Sequence, residues 1–174
     1  MTIRVGINGF GRIGRSFYRA LLARGDAADI ELVAANDPMG DSGTMAFLLK
    51  HDSVGGNLHH EVKANDTGFS VDGREVRKLE VMDPAEIPWG DHGVDVVIES
   101  TGLFTARDKA AAHLKGVARR VIISAPIGDA DATICMGVND RVFDPGAHTV
   151  ISNASCTTNC LAPVAKVIND RFGI

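Results

Sequence analysis

Cys156 is the first residue of this sequence whose neighbours point to chemistry, because hydroxyl side chains flank it at Ser155 and Thr157. A strand-like apolar segment ends just before it, and apolar residues recur at helical spacing from 161 to 168. Pro163 is tolerated best in the first turn of a helix, so we expect the helix to begin close to Cys156. A helix N-terminus favours the nucleophilic thiolate form of a cysteine. The flanking hydroxyl and N–H groups suit an anion such as phosphate.

Two further cysteines raise the question of a metal site or a disulfide. Cys160 follows Cys156 by four residues, which is a poor geometry for a disulfide within a helix. Two thiols without a nearby histidine or further cysteine also make a poor zinc site, so we expect no metal. We expect Cys160 and Cys135 to be small packed residues. A buried, inert thiol is the alternative for Cys156, and its polar neighbours argue against that alternative.

A glycine-rich turn near the start of the chain is the second feature that could bind a ligand. Gly9, Gly11 and Gly14 fit the pattern G-x-G-x-x-G between an apolar strand and a helix. In a dinucleotide site the first glycine permits a sharp turn, the second lets the backbone approach a pyrophosphate, and the third lets helix and strand pack closely. An ordinary tight turn is the alternative for the pattern taken alone.

An acidic residue, Asp37, ends the second predicted strand. Its carboxylate can accept hydrogen bonds from the adenosine ribose, and it would repel a 2′-phosphate, so NAD is favoured over NADP. The alternative is that Asp37 only begins a turn. Thr101, Gly102 and Ser124 follow later strands at the same sheet edge, where they are either pocket walls or ordinary turn residues.

The elements that must position these residues alternate between strand and helix. Strands are predicted over 3–7, 30–35, 95–99 and 121–124, and helices over 12–24, 42–50 and 105–114. Gly25 and Gly116 are expected to end two of these helices, Thr105 and Asp108 to form a capping box, and Asp72-Gly73 to form a hairpin turn. The alternation predicts a doubly wound α/β domain with a mainly parallel sheet and a small antiparallel hairpin insertion around residues 60–80.

Composition narrows the class of protein. The chain has 174 residues, of which 45% are hydrophobic, and a net charge of −4, which fits one soluble globular domain. That charge gives no reason to expect nucleic acid or an anionic membrane as partner. No apolar run is long enough to span a bilayer, and no secretory leader pattern opens the chain. Three cysteines in such a chain indicate a reducing cytoplasm.

Several of these segments together closely resemble the phosphorylating glyceraldehyde-3-phosphate dehydrogenases. They are the glycine turn over 5–15, Asn36-Asp37, Asp52-Ser53, residues 99–102 and residues 152–163. The resemblance covers the whole chain and implies a Rossmann-type fold. It implies NAD-dependent oxidation and phosphorylation of glyceraldehyde 3-phosphate to 1,3-bisphosphoglycerate in glycolysis, with inorganic phosphate as co-substrate. It also implies a cytoplasmic protein that is a homotetramer at full length.

The resemblance also implies a role for individual residues. Cys156 would be the nucleophile, forming a thiohemiacetal and then a thioester, with Ser155 and Thr157 binding phosphate. The backbone of Arg12 and Ile13 would contact the pyrophosphate. The implied NAD site consists of Gly9, Gly11, Arg12, Ile13, Gly14, Asp37, Met82, Thr101, Gly102 and Ser124.

Family members are about twice as long as this chain, and their catalytic histidine and substrate-binding arginines lie beyond Ile174. We expect an NAD-binding domain over 1–152 and the start of a catalytic domain over 153–174. We therefore expect the chain to bind NAD and to turn over the aldehyde poorly by itself. A stand-alone NAD-binding or thiol redox-sensing module is one alternative. Another is a cysteine-using reductase such as aspartate-semialdehyde dehydrogenase, which usually takes NADP.

Overall fold

The computed structural model describes residues 2–25 and 29–174, and a nine-stranded sheet lies at its centre. The described residues form eleven strands, nine in this sheet and two, β3 and β4, in a separate antiparallel pair. They are β1 (Ile3–Asn8), β2 (Ile30–Asn36), β3 (His51–Asp52), β4 (Gly56–Asn57), β5 (Val62–Asn65), β6 (Gly68–Val71), β7 (Arg74–Leu79), β8 (Val96–Glu99), β9 (Arg120–Ile123), β10 (Ala132–Thr133) and β11 (Val150–Ser152). The helices are α1 (Arg12–Ala23), α2 (Ser42–Lys50), α3 (Arg107–Ala110) and α4 (Cys156–Phe172), with 3₁₀ helices at Trp89–His92, Ala111–Gly116 and Asp140–Val142.

The order of the strands confirms the predicted α/β fold with a mainly parallel sheet. Across the sheet the order is β10-β11-β9-β8-β1-β2-β7-β6-β5, and every pair from β10 to β7 is parallel. The chain leaves β1 on one side toward β2 and later returns on the other side as β8. Ligands of open α/β sheets bind at such a reversal, beyond the carboxyl ends of the strands.

The predicted hairpin lies at Asp72-Gly73 and belongs to the main sheet. Asp72 and Gly73 have φ angles of 49° and 80°, the left-handed pair that a two-residue type I′ turn requires. Strands β5, β6 and β7 pair antiparallel, and β7 then pairs parallel with β2. The antiparallel insertion therefore extends the parallel sheet rather than forming a separate layer.

The two larger of the three hydrophobic clusters lie on opposite faces of β1, whose side chains alternate between them. Val5 and Ile7 belong to the cluster that α1, α2 and the hairpin cover, whereas Gly6 faces the opposite cluster around Trp89. A Cβ on Gly6 would lie 2.5 Å from the Trp89 ring, so the buried indole requires a glycine at that position. Side chains of successive strand residues point to opposite faces, which produces this division.

The predicted helix over 105–114 begins two residues later than expected and is α-helical only in its first part, since it continues as a 3₁₀ helix over Ala111–Gly116; its predicted capping box is wrong. Only Arg107–Ala110 is α-helical, and the N-cap is Ala106, whose side chain makes no capping hydrogen bond. The backbone N–H of Arg107 instead donates to the Asp129 carboxylate at 3.1 Å. A distant acid therefore replaces the local cap that Thr105 and Asp108 would have formed.

The helical segments end at Gly116 and just before Gly25, as predicted, but neither glycine adopts a left-handed capping conformation. Val117, with a φ of 75°, adopts the left-handed conformation expected of Gly116. A Cβ on Gly116 would lie 2.8 Å from the Ile87 carbonyl, so this glycine serves a close backbone approach. Helix α1 ends at Ala23 with an extended Arg24 as its C-cap, so Gly25 does not end it by a left-handed turn.

Helix α4 begins at Cys156, as predicted, although the proline argument behind that prediction fails. Pro163 lies inside the helix rather than in its first turn. A proline removes one i→i−4 hydrogen bond from a helix interior, at a cost of about 3 kcal/mol. The helix continues to Phe172 despite this loss.

Candidate functional site

The glycine turn joins β1 to α1 with almost no space between them. Gly9 has a φ of 87°, and a Cβ there would lie 2.8 Å from the backbone nitrogen of Thr101. A Cβ on Gly14 would lie 2.3 Å from the Gly9 carbonyl oxygen, so α1 packs directly on the turn. Around Gly11, by contrast, a Cβ would meet nothing within 4 Å. The backbone is thus open to a ligand at Gly11 and closed at Gly14.

The N-terminus of α1 faces this open side. Gly11 is the N-cap and has no side chain to cap the helix, and the first helical hydrogen bond runs from the Arg15 N–H to the Gly11 carbonyl at 3.1 Å. The N–H groups before Arg15 have no partner within the helix. Arg12 donates to the Asp52 carboxylate at 3.3 Å, and Ile13 is 53% exposed. The side chains of the first turn therefore leave its N–H groups accessible to an anion.

A cavity of about 340 Å³ lies where β1, β2 and β8 end. Of the residues predicted for the dinucleotide site, five line it, namely Gly9, Gly11, Asp37, Met82 and Thr101. Five others do not line it, namely Arg12, Ile13, Gly14, Gly102 and Ser124. Leu103 and Phe104 also line this cavity, and sequence reasoning did not find them. Their position directly after Gly102 is the signal that could have indicated them.

Asp37 ties the end of β2 to the glycine turn. One carboxylate oxygen accepts the N–H of Phe10 at 2.9 Å, and the other accepts the N–H of Met39 at 3.0 Å. Each carboxylate oxygen can accept two hydrogen bonds, so one position on each oxygen has no partner among these contacts. The side chain is half-buried at the cavity wall, which leaves it available to hydroxyl donors.

The thiol lies at the head of α4 and is exposed to solvent. Ser155 is the N-cap of this helix, and its Oγ accepts the N–H of Thr158 at 2.9 Å. The same Oγ lies 2.8 Å from Thr157 Oγ1. Ala154 precedes them with a φ of 57°, a conformation that an L-residue rarely adopts. The turn into α4 is therefore sharp, and the residues on both sides of Cys156 in the chain carry hydrogen-bonded hydroxyl groups.

Asn159 fixes that turn, and the sequence analysis did not identify it. Its Nδ2 donates to the carbonyls of Asn153 and Ser155 at 2.8 and 2.9 Å, which closes the loop ahead of Cys156. Its Oδ1 lies 3.6 Å from the Cys135 thiol. An asparagine three residues after a helix-starting cysteine is the only signal in the sequence, and it is weak.

The other two cysteines differ in burial. Cys135 is 5% exposed, as predicted for a small packed residue. Cys160 is exposed, so the prediction that it packs in the protein interior is wrong. It lies on α4, in which no residue is buried, so nothing in residues 2–25 and 29–174 covers it.

The two candidate sites share one edge of the sheet. In the strand order β11-β9-β8-β1, the strand that precedes Cys156 lies two places from β8. Neighbouring strands are about 4.8 Å apart, so the carboxyl ends of β11 and β8 are separated by about 10 Å. Ser124 follows β9, the strand between them, and therefore lies between the cavity and the thiol helix.

The described part of the chain contains neither a cluster of metal-binding side chains nor a membrane-spanning helix. Within residues 2–25 and 29–174, no three histidine, cysteine or acidic side chains come together in a way that could hold a metal ion. None of the helices described there has both the length and the apolar character needed to cross a membrane.

Comparison with protein families gives two matches. Residues 3–107 match the model described as glyceraldehyde 3-phosphate dehydrogenase, NAD binding domain. Residues 155–174 match the model described as glyceraldehyde 3-phosphate dehydrogenase, C-terminal domain. The first match covers more than half of the chain and includes the glycine turn, Asp37 and Thr101.

Individual curated proteins give a consistent result. The chain is 58% identical over 174 residues to a glyceraldehyde-3-phosphate dehydrogenase of Streptomyces coelicolor, an alignment that covers 100% of the chain and 51% of that protein. It is 58% identical over 178 residues to one from Mycobacterium tuberculosis, covering 100% and 52%. It is 52% identical over 171 residues to one from Bacillus cereus, covering 98% and 50%. The chain spans about half the length of the curated relatives that it matches.

Proposed function

This chain belongs to the glyceraldehyde-3-phosphate dehydrogenase family. From that premise we propose that it binds NAD and carries the reactive thiol for the oxidation of glyceraldehyde 3-phosphate. The observation that carries the proposal is the cavity where β1, β2 and β8 end, with Gly11 and Asp37 in its wall and the head of α4 on the same sheet edge. One edge thus offers a site for a dinucleotide and a nucleophile, and the strand ends that lead to them are about 10 Å apart.

The residues around the cavity fit a dinucleotide. The N–H groups at the start of α1 and the open backbone at Gly11 suit a pyrophosphate, with the backbone of Arg12 and Ile13 in contact with it. The free acceptor positions of Asp37 suit the ribose hydroxyls and disfavour a 2′-phosphate, so NAD is the preferred cofactor. When bound, NAD supplies the hydride acceptor.

The remaining residues of the proposed NAD site have two kinds of position. Met82 is 72% exposed at the cavity rim, where an apolar side chain can cover a flat ring. Gly102 and Ser124 lie off the cavity wall, after β8 and β9, on the way to the thiol. We assign them to the end of the cofactor nearest Cys156.

Cys156 is the proposed nucleophile. Its thiolate adds to the aldehyde carbon to form, after protonation of the oxygen, a thiohemiacetal; loss of the carbon-bound hydrogen as hydride and of the hydroxyl proton to solvent leaves a thioester on the sulfur. A phosphate oxygen then attacks the thioester carbonyl, the C–S bond breaks, and 1,3-bisphosphoglycerate leaves with the thiolate regenerated. The hydroxyls of Ser155 and Thr157 beside the thiol are the proposed phosphate contacts.

We expect turnover by these residues alone to be slow. No histidine forms a hydrogen bond with Cys156 in the described residues. His113 is fully buried, and its ring contacts Trp89 and Glu99 instead. General-base assistance is worth about 10²–10⁴-fold.

In the larger protein that the relatives represent, we propose a cytoplasmic homotetramer with an NAD-binding domain over 1–152 and a catalytic domain that begins at 153.

Titration calorimetry with NAD and NADP tests the cofactor part of the proposal. We expect saturable binding of NAD and binding of NADP weaker by about tenfold or more, because like charges would oppose each other at Asp37. Asp37→Asn should reduce the difference between the affinities for NAD and NADP. Asp66→Asn, at an exposed turn between β5 and β6, is the matched control and should change neither affinity. A folded chain that ignores NAD, or prefers NADP, would contradict the proposal.

The nucleophile is tested by adding glyceraldehyde 3-phosphate, NAD and inorganic phosphate. We expect slow NADH formation that Cys156→Ser abolishes and Cys160→Ser leaves intact. Intact-mass measurement without phosphate should show an acyl adduct on the wild-type chain and on Cys160→Ser, and none on Cys156→Ser. An adduct that survives Cys156→Ser would refute the assignment.

A further inference from the structure

A buried carboxylate lies behind the wall of the cavity, and it receives four hydrogen bonds. Glu99, at the end of β8, is 2% exposed. One of its oxygens accepts the N–H and the hydroxyl of Thr101, at 2.8 and 2.5 Å. The other accepts from Asn8 Nδ2 at 2.7 Å and lies 2.8 Å from His113 Nε2. A carboxylate has about four acceptor positions, so these partners satisfy it fully.

The Trp89 indole, on the other side of the His113 ring from Glu99, determines which ring nitrogen carries the proton. Trp89 Nε1 can only donate, and it lies 3.1 Å from His113 Nδ1, so Nδ1 is the acceptor. The ring proton is then on Nε2 and is donated to Glu99. Asn8 Nδ2 and His113 Nε2, 3.4 Å apart, are two donors that converge on the same Glu99 oxygen. With a neutral imidazole, every donor and acceptor in the hydrogen-bonded series Trp89–His113–Glu99 therefore has a partner.

These contacts connect three strand ends that form the cavity. Thr101 follows β8, and its hydroxyl accepts the N–H of Leu103 at 3.0 Å, which holds the next part of the wall. Asn8 ends β1, and its Oδ1 accepts from Asn36 Nδ2 at 2.7 Å at the end of β2. Each of these four residues lines the cavity, and Glu99 itself does not.

We propose that Glu99, oriented by His113, is a positioning residue for the dinucleotide site, acting through Thr101 and Asn8 without touching the ligand. The inference rests on the proposed binding of NAD at this cavity. Glu99 lies at the reversal of the sheet between β1 and β8, where small displacements of either strand end change the shape of the crevice.

The role requires a carboxylate rather than an amide. All four groups that contact Glu99, which come from three residues, donate hydrogens to it. The backbone N–H of Thr101 cannot act as an acceptor instead. A glutamine would have to direct its own NH₂ group at one pair of these donors. Either Thr101 or the Asn8–His113 pair would then lose its partner, and the corresponding strand end would shift.

The test compares NAD affinity with the stability of the ligand-free chain, measured by calorimetric titration and by urea unfolding. We expect Glu99→Gln to weaken NAD binding by about tenfold, under conditions where the chain is fully folded. Val76→Ala is the matched control, because Val76 is 1% exposed in β7 and lies outside the cavity wall. It should lower stability and leave the NAD dissociation constant within about twofold.

Trp89→Phe provides a second, milder variant in case Glu99→Gln does not fold. It keeps an aromatic ring in the core, and it removes the N–H that selects the His113 tautomer together with part of the indole, so we expect NAD binding weaker by about threefold. An unchanged NAD affinity in the folded variants, or an equal loss in Val76→Ala, would overturn the positioning role while the proposed function stands. A wild-type chain that binds no NAD would overturn both.

Discussion

The cavity and the thiol helix are built in opposite ways, although they share one edge of the sheet. Around the cavity, Asn8, Asn36 and Glu99 are all at most 3% exposed and hydrogen-bonded to one another or to the cavity wall. In α4 no residue is buried, and Leu161 and Phe172 are 67% and 84% exposed. The described residues therefore hold the cavity in place through their own packing, whereas α4 buries none of its residues and is held chiefly through the turn at its N-terminus.

Because of this difference in burial, we expect the cavity and the thiol helix to respond differently to ligands and to substitutions. A cavity fixed by buried polar contacts needs little reorganisation when a ligand enters, which favours binding. The thiol helix depends on few contacts, chiefly the Ser155 cap and the Asn159 hydrogen bonds. We therefore expect substitutions near the cavity to affect binding and global stability together, and substitutions at α4 to act locally.

The largest expected effect comes from Gly14→Ala, because the new methyl would lie 2.3 Å from the Gly9 carbonyl. Forcing α1 away from the turn would misplace its N–H groups, and we expect NAD binding to weaken by about a hundredfold. Gly128→Ala is the control, since a Cβ there meets nothing within 4 Å. Calorimetric titration of both variants measures the difference, and a Gly14→Ala affinity close to that of Gly128→Ala would contradict the close-packing argument.

The next effect concerns β11, the strand that leads into the thiol helix, which Asp131 holds through Thr149 and Val150. Burial alone would raise the pKa of Asp131, but hydrogen bonds from the Val150 and Thr149 N–H groups, Arg107 and the Thr149 hydroxyl outweigh it and hold that pKa well below its ordinary value. Asp131→Asn should lower the free energy of unfolding by about 2 kcal/mol at pH 7.

The pH dependence of that effect follows from the sign of the shift. A depressed carboxyl pKa contributes stability above the unfolded value of about 3.9, and the contribution is lost as the pH falls through the folded value. Urea unfolding of wild type and Asp131→Asn should therefore differ at pH 7 and converge as the pH falls below about 4. A difference that grows on acidification would show that the carboxylate is not the stabilising form.

The sequence predicted those parts of both regions that local patterns determine. The glycine turn, the strand ends and the start of α4 were predicted because each depends on a few adjacent residues. The short α3 was not, because Asp129 reaches it from 22 positions away. The link between Glu99 and Asn8 spans 91 positions, and nothing in either local segment indicates it. Contacts of that kind follow from strand order, which periodicity does not specify.

Alkylation of the cysteines compares the reactivity of thiols in the two environments. Cys156 and Cys160 are both exposed, whereas Cys135 is 5% exposed, so iodoacetamide should modify the first two and spare the third. At the helix N-terminus we expect Cys156 to react about tenfold faster than Cys160. Peptide mapping of a time course measures the three rates. Equal rates at Cys156 and Cys160 would remove the argument that the helix end activates the thiol.

The smallest expected effect tests whether α4 is held only locally. Ser155→Ala removes the side chain that accepts the Thr158 N–H, which costs about 1 kcal/mol of helix stability. Because α4 buries no residue, this loss should appear as faster hydrogen exchange at 156–160 with an unchanged global unfolding midpoint. Asp41→Ala removes the equivalent cap of α2, whose Met45 and Leu49 are in the core, so there the global midpoint should fall. If Ser155→Ala also lowered the global midpoint, α4 would have to be coupled to the core, and the contrast between the two regions would fail.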